Sequence, residues 1–253
     1  MRIIRFCFSP TGGTRKVLEA LTKQCKTNEV IDIDLCASEN QPMGISKDDV
    51  CYIAMPVYGG RIPHLALSRL STYNGFQARA VLVAVYGNRA FDDALMELKY
   101  ASVSYGFRPI AAIAAIAEHS ILRTIATGRP DDNDKKVLAS FEEKIEEAIA
   151  SGACPRDIAV PGHFPYKEYK ENPCKPKAGR KCTECGTCAK ACPAGAINRD
   201  NPKKTDEKAC ISCMRCVSVC PVQAREVSKL ILLAVEKKIG EACKERKEPV
   251  LFN

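Results

Sequence analysis

Eight of the fifteen cysteines in this 253-residue chain lie between Cys182 and Cys220, in two copies of one pattern. Each copy reads C-x2-C-x2-C-x3-C-P, and the second begins 28 residues after the first. Three thiolates at this spacing can hold three corners of an iron–sulfur cube, and the fourth, which precedes proline, is turned towards a neighbouring cluster. The copies are Cys182, Cys185, Cys188 and Cys192 with Pro193, and Cys210, Cys213, Cys216 and Cys220 with Pro221. The pattern predicts two [4Fe–4S] clusters.

Residues 177–226 resemble the bacterial two-cluster ferredoxins, which carry this cysteine spacing. The resemblance implies that each cluster takes three cysteines from one copy and the fourth from the other. One set would be Cys182, Cys185, Cys188 and Cys220, and the other Cys210, Cys213, Cys216 and Cys192. Residues 195–197 also fit the family after the first copy, whereas residues 222–224 are a looser match after the second.

Structural zinc is the alternative for these cysteines. Zinc takes four tetrahedral ligands, commonly as two C-x2-C pairs, so a third cysteine at the same spacing has no use there.

The first residues lack the features of a secretory leader, and we expect a cytoplasmic protein without a disulfide framework. The seven other cysteines are interpreted as small apolar residues.

A second candidate site is the loop of residues 9–14, Ser-Pro-Thr-Gly-Gly-Thr, between the first predicted strand and helix. Its glycines allow the backbone to approach an anion, while hydroxyls and free N–H groups at the helix start can donate to it. It matches neither the P-loop nor the G-x-G-x-x-G dinucleotide pattern. The composition suits a single terminal phosphate, and the alternative is an ordinary strand–helix turn.

Five short apolar runs must position this loop: residues 3–8, 30–35, 50–55, 80–86 and 110–117. They are apolar on both faces and alternate with amphipathic stretches, which predicts parallel strands covered by helices. We therefore expect an α/β fold with a doubly wound five-stranded parallel sheet, followed by a small α+β domain of the bacterial ferredoxin type. The predicted domains are residues 1–150, a linker at 151–176 and residues 177–253.

Residues 1–150 resemble the flavodoxins, which bind FMN at the switch point of such a sheet. The resemblance implies a phosphate site at Ser9, Thr11, Gly12, Gly13 and Thr14. It implies flavin-ring contacts from two loops, at Pro56, Val57, Tyr58, Gly59 and Gly60, and at Tyr86, Gly87, Asn88 and Arg89. Tyr58 and Tyr86 are candidates for stacking on the ring, or else simple caps on strand ends. His119 is a further candidate for the pocket wall.

The net charge of +8 comes entirely from residues 174–253, which hold 17 Lys and Arg against 9 Asp and Glu. Counter-charge for anionic clusters and a flavin phosphate explains most of this excess, so we favour it over nucleic-acid binding. No apolar run is long enough for a membrane span. We expect redox proteins that reduce ferredoxins or accept electrons from them as partners, and the sequence leaves the oligomeric state open.

The whole chain resembles flavodoxin–ferredoxin fusions, which implies a converter between one-electron and two-electron chemistry that links two [4Fe–4S] clusters and FMN. The second hypothesis is a flavin-dependent reductase of a quinone, nitro compound or similar acceptor, for which Arg61 and Arg89 could orient an anionic acceptor. A third is an interaction module with structural clusters. No residue is assigned as catalytic.

Overall fold

The computed structural model describes residues 1–25, 29–37, 43–170 and 172–253. Its N-terminal part contains five parallel strands, one at each predicted apolar run: β1 (Ile3–Cys7), β2 (Val30–Asp34), β3 (Val50–Pro56), β4 (Arg79–Tyr86) and β5 (Arg108–Ile116). Strands β3, β4 and β5 are buried along nearly their whole length, as expected where helices cover both faces. Strand β2 lies at the edge and is mostly exposed.

The strands lie in the order β2–β1–β3–β4–β5, which is the flavodoxin-like order of a doubly wound sheet. The predicted fold class is confirmed by this order. Strand β1 pairs with β2 on one side and with β3 on the other, so the winding direction reverses there. Ligands of such sheets bind outside the carboxyl ends of the strands at this switch point.

Four helices cover the sheet. One face carries α1 (Gly13–Leu21), and the other carries α2 (His64–Leu70) and α3 (Ala94–Ser104); α4 (Asp132–Ala150) packs beside α1. Alternate residues of each strand enter the two apolar cores, one on each face. Helix α4 begins with a capping box between Asp131 and Asp134, in which each side chain accepts the other's backbone N–H.

The proline-rich segment that follows α4 lies against the sheet domain. Ile158 is buried in the apolar core beneath α2 and α3. The Asp93 carboxylate, at the start of α3, accepts hydrogen bonds from the backbone N–H groups of His163 (2.9 Å) and Lys167 (2.7 Å). These contacts hold the segment along the carboxyl-end side of the sheet.

The cysteine-rich segment is a small α+β unit. Its two-stranded antiparallel sheet, β6 (Lys177–Ala178) with β7 (Arg225–Glu226), brackets two short helices, α5 (Thr187–Ala191) and α6 (Arg215–Ser218). Helix α7 (Lys229–Ile239) and a 3₁₀ turn (Glu241–Cys243) follow. None of the helices in the described ranges combines the length and apolar composition needed to cross a bilayer.

The chain ends in a sixth strand of the large sheet, which the sequence analysis does not predict. Strand β8 (Val250–Phe252) pairs antiparallel with β5, with Leu251 opposite Ile113. The cysteine-rich unit is thus joined to the N-terminal sheet at both of its ends. A three-residue strand carries too little periodicity to be recognised in a sequence.

Candidate cofactor-binding sites

The two cysteine copies have the same loop conformation. Three pairs of residues 28 positions apart share a positive φ: Glu184 and Ser212 (57° and 53°), Gly186 and Met214 (74° and 63°), and Gly195 and Gln223 (62° and 51°). Residues other than glycine seldom adopt this conformation, so its recurrence indicates a common loop shape. Gln223 lies in the looser match to the ferredoxins and still follows the backbone path of Gly195.

The first of two cysteine-lined cavities, the inner cysteine cavity, has a volume of about 350 Å³. Its cysteines are Cys192, Cys210, Cys213 and Cys216, three from the second copy and one from the first. These are the four that the ferredoxin resemblance assigns to one cluster. The remaining wall is mainly apolar, and it includes Ile197, Ile211 and Met214.

The outer cysteine cavity has a volume of about 300 Å³. It is lined by the complementary set, Cys182, Cys185, Cys188 and Cys220. The backbone N–H of Ala224 donates to the Cys220 sulfur at 3.2 Å. The structure therefore brings the eight predicted cysteines together in two interleaved groups of four.

The exposed cysteine of the eight, Cys185, belongs to the outer group, whereas two of the three buried ones, Cys213 and Cys216, belong to the inner group. Burial raises the pKa of Cys213 to about 12 and that of Cys216 to about 11. Cys185 is exposed, and hydrogen bonds with Thr187 lower the pKa of its thiol. A buried thiolate needs a strongly bound cation, and four thiols converging on one cavity form the donor set of an iron–sulfur cube. The cysteines present thus fit such a group.

The loop of residues 9–14 leaves backbone donors free at the start of α1. The Ser9 hydroxyl accepts the N–H of Arg15 at 3.0 Å. Within the described part of the chain, the N–H groups of Thr11, Gly13 and Thr14 have no hydrogen-bond acceptor. Free N–H groups and the positive end of the helix dipole suit a phosphate group, so this loop fits the terminal phosphate of FMN.

Two glycines of this loop have different roles. Gly12 has a φ of 90°, which glycine adopts readily and which allows the chain to turn into α1. No acidic side chain lies in the first turn of α1. Gly13 passes close to the end of β5, where a Cβ atom would lie 3.1 Å from Cβ of Ala117. The loop is therefore held directly against the sheet.

A cavity of about 460 Å³, here called the flavin cavity, opens at the carboxyl ends of β1, β3, β4 and β5. The residues assigned to FMN that line it are Ser9, Thr11, Gly13, Thr14, Pro56, Val57, Tyr58, Tyr86 and Gly87. Tyr86 packs edge-to-face on Phe91, with ring centroids 5.5 Å apart, and burial raises its pKa. The structure thus places most of the predicted flavin contacts around one cavity.

Five assigned residues do not line this cavity: Gly12, Gly59, Gly60, Asn88 and Arg89. Gly60 has no room for a side chain beside Asp92. The Asn88 side-chain amide donates to the carbonyl oxygens of Cys243 (2.7 Å) and Glu245 (2.9 Å). Arg89 forms an ion pair with Asp92. The structure gives these residues contacts within the protein.

Sequence reasoning missed most of the fourth wall of the flavin cavity, which residues 117–120 form after β5. Only His119 is among the predicted candidates. This segment, Ala-Glu-His-Ser, has no glycine pattern, and position after a strand is the only signal that points to it. Nδ1 of His119 accepts the backbone N–H groups of Ile121 (3.2 Å) and Leu122 (3.0 Å). Burial lowers the pKa of His119 to about 4, so the imidazole is neutral.

The flavin cavity and the inner cysteine cavity adjoin each other. Tyr58 lines the flavin cavity. Burial raises the pKa of the Tyr58 hydroxyl, and the Cys213 thiol raises it further. The Arg215 guanidinium lines the inner cysteine cavity and donates to the carbonyl oxygen of Pro10 at 3.3 Å. Arg69 donates to carbonyl oxygens on both sides of the junction, at Leu35 and Pro193.

Residues 181–225 match the family model of the 4Fe-4S dicluster domain. Among solved structures, the chain is similar to rubredoxin oxygen:oxidoreductase from the anaerobe Desulfovibrio gigas, at 12% identity and a TM-score of 0.43 over 61% of this chain and 37% of that one. The Streptococcus pneumoniae TIGR4 flavodoxin has 13% identity and a TM-score of 0.39 over 58% and 97%. The Fusobacterium nucleatum flavodoxin bound to flavin mononucleotide has the same identity and score over 58% and 98%.

The chain spans 37% of the length of the oxidoreductase and nearly all of both flavodoxins. Its flavodoxin-like fold is established by the strand order described above. The chain therefore joins a flavodoxin-like sheet to a 4Fe-4S dicluster segment, the arrangement of a flavodoxin–ferredoxin fusion.

Proposed function

We propose that this chain transfers electrons between two [4Fe–4S] clusters and one FMN on the same polypeptide, and exchanges them with external redox proteins. A cluster carries one electron at a time, whereas a flavin takes up two and can release them singly. The protein's own contribution is to hold these groups close together, in a fixed order and out of water.

The contact between the flavin cavity and the inner cysteine cavity carries this proposal. Tyr58 lies at the boundary, and Arg215 reaches from the inner cysteine cavity to the phosphate loop at Pro10. Neither cysteine cavity shares a lining residue with the flavin cavity, but among the described residues no hydrogen bond links the outer cysteine cavity to the flavin cavity, as Arg215 does for the inner one. The order flavin, inner cluster, outer cluster follows from this arrangement.

The outer cluster would exchange electrons with the external partner. Among its cysteines, Cys185 is exposed, while Cys213 and Cys216 of the inner cavity are buried. Electron transfer between proteins needs a redox group near the surface, and the outer cysteine cavity provides one. Redox proteins that reduce ferredoxins or are reduced by them are the expected partners.

The residues assigned to the cofactors follow from the cavities. Cys192, Cys210, Cys213 and Cys216 would hold the inner cluster, and Cys182, Cys185, Cys188 and Cys220 the outer one. The N–H groups of Thr11, Gly13 and Thr14 would hold the FMN phosphate. The loops that begin at Pro56 and at Tyr86 would bound the ring.

No observation favours a reductase with an anionic acceptor. Arg61 pairs with Glu97 (2.6 Å) and Arg89 pairs with Asp92, so both arginines that the sequence suggests for binding such an acceptor are neutralised. Steady-state turnover with a panel of quinones and nitro compounds would reveal such an activity, and the proposed carrier should show only nonspecific flavin reactivity.

Anaerobic reductive titration of the purified chain tests the proposal. We expect about eight irons, eight sulfides and one flavin per chain, and uptake of about four electrons, two by the clusters and two by the flavin. Zinc in place of iron would contradict the cluster assignment. Full cluster content without flavin, even after incubation with FMN, would contradict the role of the flavin cavity.

A further inference from the structure

Arg225 is a buried cation without an acidic partner. Only 2% of its surface is exposed. Its guanidinium donates to the Thr205 hydroxyl (2.9 Å) and to the carbonyl oxygens of Pro176 (3.4 Å) and Pro202, and Nε has no partner among the described residues. No carboxylate of the described residues forms an ion pair with it. Because arginine stays protonated in proteins, this position holds an uncompensated positive charge.

The other arginine of the described residues that is classed as buried is paired with a carboxylate. Arg129, 6% exposed, forms a two-pronged ion pair with Asp134. Arg61 does the same with Glu97. Arg225 therefore differs from Arg129 and Arg61, and its lack of a carboxylate points to a negative charge that comes from elsewhere.

Arg225 lies between the two cysteine sets. It lines the outer cysteine cavity beside Cys220. Its guanidinium also donates to Thr205 and to the carbonyl oxygen of Pro176, which both line the inner cysteine cavity. A cube with four thiolates carries a net negative charge of about two, so clusters on both sides would supply the missing counter-charge.

We propose that Arg225 is a fixed counter-cation shared by both clusters, and that it raises the reduction potentials of both. Reduction adds one negative charge to a cluster, and a cation held nearby in a buried site stabilises the reduced form more than the oxidised form. Arg225 acts here as a positioning and tuning residue. The inference rests on the proposed clusters and is independent of the flavin.

Arg215 offers a matched comparison. It lines only the inner cysteine cavity, its Nε also lacks a partner, and it bonds to the Pro10 carbonyl. Removal of its charge should therefore affect the inner cluster and leave the outer one near its original potential. Arg225 should affect both.

The test compares Arg225→Gln, Arg225→Lys and Arg215→Gln in the full chain by anaerobic potentiometric titration with electron paramagnetic resonance, after iron and sulfide have been counted. We expect Arg225→Gln to disfavour reduction of each cluster about tenfold, since an unscreened charge near a buried group has effects of at least this size, and tenfold is 59 mV for a one-electron couple. Arg225→Lys keeps the charge and should remain near the wild-type potentials. Arg215→Gln should shift one cluster only.

Unchanged potentials in an iron-replete Arg225→Gln protein would overturn the inference. If that variant does not retain clusters, Arg225→Lys decides: retention with wild-type potentials supports the counter-cation, and cluster loss in both variants shows that the hydrogen bonds matter instead and overturns it. A wild-type chain without iron would be a failure of the proposed function and would be seen before any potential is measured.

Discussion

Gly87 and His119 together shape one wall of the flavin cavity. The imidazole lies directly over Gly87, where a Cβ atom would come within 2.4 Å of a ring carbon of His119. Because Nδ1 accepts two backbone N–H groups, the proton of the neutral ring is on Nε2. The small residue at position 87 leaves room for the imidazole, and the two backbone N–H groups fix its tautomer.

Replacement of Gly87 by alanine should weaken FMN binding at least tenfold, because the new methyl group must displace the His119 ring. Fluorescence titration of the flavin-free protein measures the affinity. Gly44→Ala is the control, since a Cβ atom there meets nothing within 4 Å. Iron content should be the same in both variants. Equal FMN affinity of Gly87→Ala and wild type would contradict this role of residue 87.

Glu142 in α4 makes stability depend on pH. Its carboxyl is buried and accepts hydrogen bonds from Tyr52 (2.6 Å) and Cys25 (2.9 Å), while its other oxygen has no partner in the described part of the chain. Burial raises its pKa above that of the unfolded chain. The folded state is therefore favoured below the unfolded pKa, and this stability is lost as the pH rises towards the raised value.

Glu142→Gln should remove the loss of stability at high pH. The amide keeps an acceptor oxygen for Tyr52 and Cys25 and carries no charge. The thermal midpoint of the variant should exceed that of wild type at pH 8, and the difference should shrink as the pH falls to 5. Differential scanning calorimetry under anaerobic conditions measures both. Glu143→Gln, a change at the exposed neighbour, is the control. A difference that grows towards low pH would contradict the assignment.

At the scale of elements, Asn88 connects the end of β4 to the C-terminal segment. Its side chain binds the carbonyl oxygens of Cys243 and Glu245 and accepts the Lys247 backbone N–H at 3.1 Å. These contacts precede β8, which completes the sheet beside β5. One side chain thereby fixes the path by which the chain returns from the cysteine-rich unit.

Asn88→Gly should weaken the attachment of the C-terminal segment to the end of β4. Glycine tolerates the positive φ of 62° at this position, so the change isolates the lost hydrogen bonds. The carbonyl groups of Cys243 and Glu245 lose their donor, which costs about 2 kcal/mol and lowers the thermal midpoint by roughly 4–8 °C. Limited proteolysis should cut first near residues 243–249. A midpoint within 1 °C of wild type would show that other contacts suffice.

The elements that the sequence predicts are those with a local signal. The five parallel strands follow from apolar runs, and the cysteine sets follow from spacing, because both patterns involve residues that are neighbours in sequence. Strand β8 depends on a partner more than a hundred residues away, at Ile113, and three residues carry no period. From the sequence, Arg225 beside Glu226 is expected to be an exposed charge, whereas in the structure it is buried.

At the scale of the whole molecule, the net charge differs between the N-terminal part and the cysteine-rich part. The residues before 174 carry no net charge, and the excess of +8 lies in the cysteine-rich part. Four negative charges from two clusters would leave that part positive, by about four units. Lys181 is exposed next to Cys182 of the outer cysteine cavity. The outer face is therefore suited to an acidic redox protein.

The rate at which a reduced acidic [2Fe–2S] ferredoxin reduces the protein should fall as the ionic strength rises, because salt screens the attraction between the two proteins. Lys181→Glu should lower the second-order rate constant several-fold at low salt and little at high salt. Lys144→Glu, an exposed change on α4, is the control. Stopped-flow absorbance measures these rates, and a rate that increases with salt would contradict the basic docking face.

The most direct test of electron transfer within one chain is the concentration dependence of flavin reduction. The clusters are reduced by a pulse of a small donor that delivers less than one electron per chain, and flavin absorbance is followed in anaerobic stopped flow. The arrangement of adjoining cavities predicts a first-order rate that is unchanged over a tenfold range of protein concentration. A rate proportional to protein concentration, or a flavin that stays oxidised while the clusters are reduced, would contradict it.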